Sequence, residues 1–218
     1  MKPHLFALIS AFSILLAAAI GAVRFFKVTV DSRPFFLLVW IALVNEILSE
    51  VFIQTVHSTA VNCNIYVLFE AILYCWLFYN WSSLFRNKQK FRLLILFICI
   101  IWFIDNFILN SIFQTNSLFR IISSFILVFL AIDQINQLLM TERSEVLTNA
   151  RFLISTGVII FFTYRAIVEA YYLFRLPFSN LFYHNVYLIM DCVNLFVNLI
   201  FALAALWIPT RQKFILPS

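Results

Sequence analysis

Glycine is nearly missing from this chain, which has only Gly21 and Gly157 in 218 residues. No phosphate-cradling loop of the GxGxxG or Walker type can be built from two glycines, nor can a GxSxG nucleophile elbow. Proline is almost as scarce. Pro3, Pro34, Pro177, Pro209 and Pro217 all fall at the ends of apolar runs or in the tails. Interior glycine or proline marks the broken helices of many secondary transporters, so that design is not expected. Of the five lysines, Lys2, Lys27, Lys88, Lys90 and Lys213, none lies within an apolar run. A retinal Schiff base is thereby excluded.

Charge is the largest deficit. Only 11% of residues are Asp, Glu, Lys or Arg, against about 25% in soluble domains. Hydrophobic residues make up 64% and the mean hydropathy is +0.98. Surface-to-volume scaling does not let a water-soluble fold of this size hide so much apolar material. Lipid is the expected solvent. The apolar stretches are continuous and about twenty residues long, the length a helix needs to cross about 30 Å of hydrocarbon. A transmembrane β-barrel would alternate over about ten residues instead. Only a helix satisfies every backbone group within such a segment.

The expected fold is an all-α, single-domain bundle of seven transmembrane helices. Their ranges are about 4–23, 34–55, 63–85, 91–112, 117–139, 150–173 and 182–207, with ends uncertain by a few residues. All connections are short, and no internal repeat is visible. The lysine and arginine bias sets the orientation, with the N-terminus outside and the C-terminus in the cytoplasm. Cytoplasmic segments then hold Arg24, Lys27, Arg33, Arg86, Lys88, Lys90, Arg92, Arg143, Arg151, Arg211 and Lys213. The outer side keeps Lys2, Arg120 and Arg175. The basic character is a topology signal: it calls for anionic lipid headgroups, not nucleic acid. Met1-Lys2 and the Ala17-Ala18-Ala19 stretch resemble a secretory signal peptide. Cleavage there would reverse the charge bias, so the first helix is expected to stay. The location is a plasma membrane or a bacterial inner membrane.

Cys75, Cys99 and Cys192 lie inside apolar runs and only Cys63 is near an outer edge, so no structural disulfide is expected. His4, His57 and His184 all fall near the outer edge, but no two share metal-ligand spacing on one helix, and HExxH is absent. The metal content stays unknown, and an enzyme is the less favoured class.

The informative residues are the ionisable ones inside the spans. Seven of the ten acids fall there: Glu46, Glu50, Glu70, Asp105, Asp133, Glu169 and Asp191. Each costs about 2.5–3.5 kcal/mol at a helix centre, so such groups face the bundle interior and find partners. On the seventh helix His184, Tyr187, Asp191, Asn194 and Asn198 recur every three or four residues and share a face. Arg165 and Glu169 form a similar stripe on the sixth, and Glu70 one with Tyr66 and Tyr74 on the third.

Depth places six acids (all but Asp133) and the arginines Arg120 and Arg165 in the outer half of the bundle. The expected ligand- or ion-binding set is Glu46, Glu50, Glu70, Asp105, Asn106, Arg120, Arg165, Glu169, His184, Tyr187, Asp191 and Asn194. Six carboxyls against two guanidiniums leave a surplus of acid. That surplus implies protonated carboxyls, a bound cation or water. The plainer reading is structural: Arg165 and Glu169, four residues apart, pair with each other, and Asn194 and Asn198 act as helix glue.

Three functions fit these features. The leading one is a receptor or sensor that binds a small ligand or ion outside and signals through a separate membrane or cytoplasmic partner. The match to seven-helix receptors stops at general architecture. The alternatives are a proton or cation transporter or channel and a scaffold subunit of a membrane complex.

Overall fold

The computed structural model describes residues 3–81, 88–141, 148–174 and 179–210, leaving aside the side chains at 3, 4 and 180. Lys2, Arg86, Arg143, Arg175, Arg211, Lys213, Pro177, Pro217 and the His4 side chain lie outside the described residues.

The chain is all-helical and contains seven helices long and apolar enough to cross a membrane. The first spanning run, Leu5–Arg24, differs from the expected continuous helix. It comprises α1 (Pro3–Phe12) and α2 (Leu15–Arg24), separated by a turn at Ser13 and Ile14. The hydroxyl of Ser13 donates to the Ser10 carbonyl at 2.6 Å. It competes there with the backbone ladder, as serine does when it bonds back along a helix.

Next comes α3 (Arg33–Val56), with Pro34 in its first turn, where its missing N–H costs nothing. His57 ends α3 in the left-handed region at φ 56°. Then follow α4 (Ala60–Trp81) and α5 (Lys88–Phe103). The fourth span closes in a π-helical turn, Ile104–Leu109. The remaining helices are α6 (Ser117–Thr141), α7 (Ala150–Leu173) and α8 (Asn180–Trp207). Asn149 and Ser179 cap α7 and α8 by accepting from the backbone N–H of Arg151 at 2.8 Å and Phe182 at 3.2 Å. At the other end of α8, Arg24 donates to the carbonyls of Leu206 and Ile208. A cation there complements the negative pole of the helix.

Packing is closest along α6–α7, α7–α8 and α3–α4, and α1 and α2 both lean on α8. The two glycines mark points of close helix approach. A Cβ on Gly21 would meet the Phe36 ring at 2.6 Å, and one on Gly157 would meet Phe201 at 2.6 Å.

The bundle has two unlike halves. One end gathers the start of α3, the end of α4, the start of α7 and the end of α8. Its core is aromatic and tightly closed, with Phe35, Phe36, Phe78, Leu77 and Ile154 fully buried. Phe35 meets Phe201 edge to face at 5.6 Å, a favourable ring geometry. The other end joins α3 to α4 through residues 57–59 and the π turn to α6 through 110–116. The buried ionisable side chains Glu70, Asp105, Arg165 and Glu169 belong to this half. Large apolar side chains such as Leu96, Phe107, Phe129 and Phe196 point outward and are more than half exposed. Outward apolar side chains of this kind are what a lipid-facing surface requires.

Candidate functional site

A cavity of about 280 Å³ occupies the polar half. Its walls come from α1, α3, α4, α6, α7 and α8 and carry Glu46, Glu70, Arg120, Arg165, Glu169, Tyr187 and Asn194 of the expected set. Tyr66, Tyr74, Asn45, Cys63, Phe161, Asn198 and Phe201 complete its polar and aromatic lining.

Two interhelical ion pairs organise the walls. Arg165 on α7 reaches Glu70 on α4 at 2.5 Å, with both side chains almost wholly buried. The other oxygen of Glu70 accepts from the Tyr66 hydroxyl at 2.9 Å. Arg120 on α6 pairs with Glu169 on α7 at 3.1 Å. Ser117 donates to the second Glu169 oxygen at 2.6 Å, and Arg120 also donates to Asn64 Oδ1 at 3.4 Å. The expectation that Arg165 and Glu169 pair along their own helix is therefore corrected. Each reaches across to a different helix, so α7 is tied to both α4 and α6. Such pairs hold a bundle in register, because removing one partner strands a buried charge.

Glu46 is the exception. It is half-buried and lines the cavity, yet it makes no hydrogen bond or ion pair with any described residue. The acids within electrostatic reach of it are Glu70 and Glu50.

Five expected residues do not line the cavity, and two of them, Asp105 and Asn106, have structural partners instead. Asp105 is fully buried elsewhere. One oxygen accepts from the Phe119 backbone N–H at 2.8 Å and the other from Asn110 at 2.8 Å. Asp105 thus satisfies an otherwise orphaned donor at the start of α6, as a capping carboxylate does. Asn106 donates to the Trp102 carbonyl and accepts from Asn116, fastening residues 110–116. Glu50 lies one turn beyond Glu46, outside the walls, and half-buried. His184 is exposed, and Asp191 is half-buried without lining the cavity. The carboxyls of the cavity are thus three, Glu46, Glu70 and Glu169, against two guanidiniums. The helix period put Glu70, Arg165 and Glu169 on buried faces, but the stripe it drew on α8 includes the exposed His184 and Tyr187, and it did not say which carboxyl serves as a cap.

Asn194 has two roles. It lines the cavity and, with Asn198, it stitches α8 to the break in the first span. Asn198 donates to Ser13 Oγ at 2.8 Å, and Asn194 to Ser10 Oγ at 3.3 Å. Here the helix-glue expectation and the site expectation describe one network. Residues that sequence reasoning missed include Asn64, Ser117, Ser10 and Ser13. Their signal was partly present: Ser10, Ser13 and Asn64 are small polar groups within apolar runs, whereas Ser117 follows the polar stretch Gln114-Thr115-Asn116.

Asp133 lies in the opposite half, where Gln137 donates to it at 2.7 Å. In that half Gln134 Oε1 and Ser155 Oγ are buried with no hydrogen-bond partner. No group of three or more His, Cys, Asp and Glu able to hold a metal exists among the described residues, and His57 is exposed like His184.

The chain is thus defined as an all-helical protein with seven helices long and apolar enough to span a membrane, holding an ion-paired cavity in one half. No family model, curated protein or solved structure matches it.

Proposed function

We propose that this protein is a multi-pass membrane sensor whose cavity opens toward the outside and binds a small ligand. Binding is relayed to a separate membrane or cytoplasmic partner. The observation that carries this reading is the unpaired Glu46 in a cavity whose other charges are matched.

Charge asymmetry supports the orientation. Among the described residues, Arg24, Lys27, Arg33, Lys88, Lys90, Arg92 and Arg151 gather at the apolar-core end. In the cavity half the described basic residues are Arg120 and Arg165, both held in ion pairs. The positive-inside rule then puts the cavity end, and the N-terminus, outside. The wall composition supports sensing. The cavity walls come from six helices, so a difference in their arrangement changes the space a ligand meets. That difference is what a ligand needs to shift an equilibrium between two states.

Transport is the second reading, favoured by the unpartnered Gln134 Oε1 and Ser155 Oγ in the same half as Asp133. The test is flux. In proteoliposomes of the purified chain, the sensor reading expects no proton, sodium or potassium flux above the lipid background. A flux that Glu46→Gln abolishes would make the protein a transporter and overturn the sensor reading.

A further inference from the structure

We infer that the ligand of this cavity is a small organic ammonium ion whose cationic group docks against Glu46. The inference rests on the reading of the cavity as a ligand site and deepens it. It starts from the charges on the walls. Glu70 and Glu169 are each cancelled by an arginine, and arginine stays charged in proteins. Among the described residues Glu46 is left over, so with Glu46 ionised the described walls carry one negative charge more than positive. A half-buried carboxylate without a partner is a favourable place for a cation to dock. An anionic occupant would add to the surplus, and a neutral one would offer a hydrogen bond without cancelling the charge.

Size and chemistry separate an organic cation from a metal ion. A cavity of about 280 Å³ is roughly twice the ~150 Å³ apolar cavity that admits benzene. It is too roomy to close on a bare ion that needs six or more oxygens at about 2.0–2.6 Å. Among the described residues no metal-ligating group of three forms. The same walls offer the rings of Tyr66, Tyr74, Phe161, Tyr187 and Phe201. Aromatic faces attract alkylammonium groups and bury the apolar body that comes with them. A carboxylate beside several aromatic rings therefore suits an amine with an apolar or aromatic body of about ten heavy atoms.

The experiment measures ligand-induced thermal stabilisation of the full chain in lipid nanodiscs. Phenethylamine and choline are titrated to millimolar concentration beside 2-phenylethanol, phenylacetate, sodium, potassium and calcium. The expected result is saturable stabilisation by at least one amine and none by the neutral, anionic or inorganic probes. Glu46→Gln weakens that amine by at least about tenfold, since a desolvated charge partner is lost. Asp191→Asn, outside the cavity, leaves its affinity unchanged. If 2-phenylethanol binds as tightly as phenethylamine and Ala42→Phe, a change at a residue of the cavity wall, abolishes both, the cavity binds ligands but the ammonium assignment is wrong. Stabilisation by an inorganic cation alone, lost in Glu46→Gln, also overturns the assignment. If no probe binds and Ala42→Phe changes nothing, both the assignment and the ligand-site reading fall.

Discussion

The two halves of this bundle are held together by different physics. In the apolar-core half, Phe35, Phe36, Phe78 and Phe201 interlock around two glycines. In the cavity half, two ion pairs and a web of Asn, Ser and Tyr hydrogen bonds join the same helices. Between spans solvated by lipid, apolar burial gives little drive to association, because acyl chains are as apolar as leucine. The aromatic half must then gain by close contact, which is steep in distance and unforgiving of shape. The polar half gains by pairing groups that are costly to leave alone. In the polar half, directional bonds fix the walls of the ion-paired cavity without filling its space.

That contrast can be broken by substitution, with unfolding free energy in mixed micelles as the common measure. The largest effect is expected from Arg165→Leu, which strands Glu70 and costs about 3–5 kcal/mol. The double variant Arg165→Leu/Glu70→Leu recovers much of that loss, since it removes both charges. Additive losses would show that the pair is not what joins α4 to α7. In the aromatic half, Gly157→Val drives a side chain into Phe201 and costs about 1–3 kcal/mol. Adding Phe201→Leu relieves it. Asn198→Leu removes the tie to Ser13 at the break in the first span. Its cost is about 0.6 kcal/mol and at most ~1.7, typical of hydrogen bonds between membrane helices. The smallest effect is expected from Glu50→Gln. This acid lies outside the cavity without an ion partner, and its change stays within about 0.5 kcal/mol. A larger loss there would mean that the polar half extends further along α3.

Much of this architecture was legible in the sequence. Length and hydropathy gave seven long apolar helices, because lipid leaves the backbone no other choice. Helical periodicity brought Arg165, Glu169, Glu70 and Tyr66 to inward faces. Partner choice was not legible. Arg165 and Glu169 stand four residues apart, yet each finds a carboxylate or guanidinium on another helix, a matter of helix rotation that one sequence does not encode. Asp105 shows the same limit. A buried acid and a capping acid look alike until the start of α6 is placed beside it. The break at Ser13 lacked glycine or proline as a marker and arose from a hydroxyl competing for a carbonyl. Glu46 was distinguished only after the other charges were paired off.

The account stands on a cavity in the polar half that is reached from the outer face. Cys63 lies in its wall and serves as a reporter once Cys75, Cys99 and Cys192 are replaced by alanine. The direct measurement is its reaction with a membrane-impermeant maleimide on intact cells, with and without Ala42→Trp to fill the cavity. Labelling of Cys63 from outside, slowed several-fold by the filled cavity, is the predicted result. Labelling only after permeabilisation, or at the same rate with the cavity filled, would contradict it.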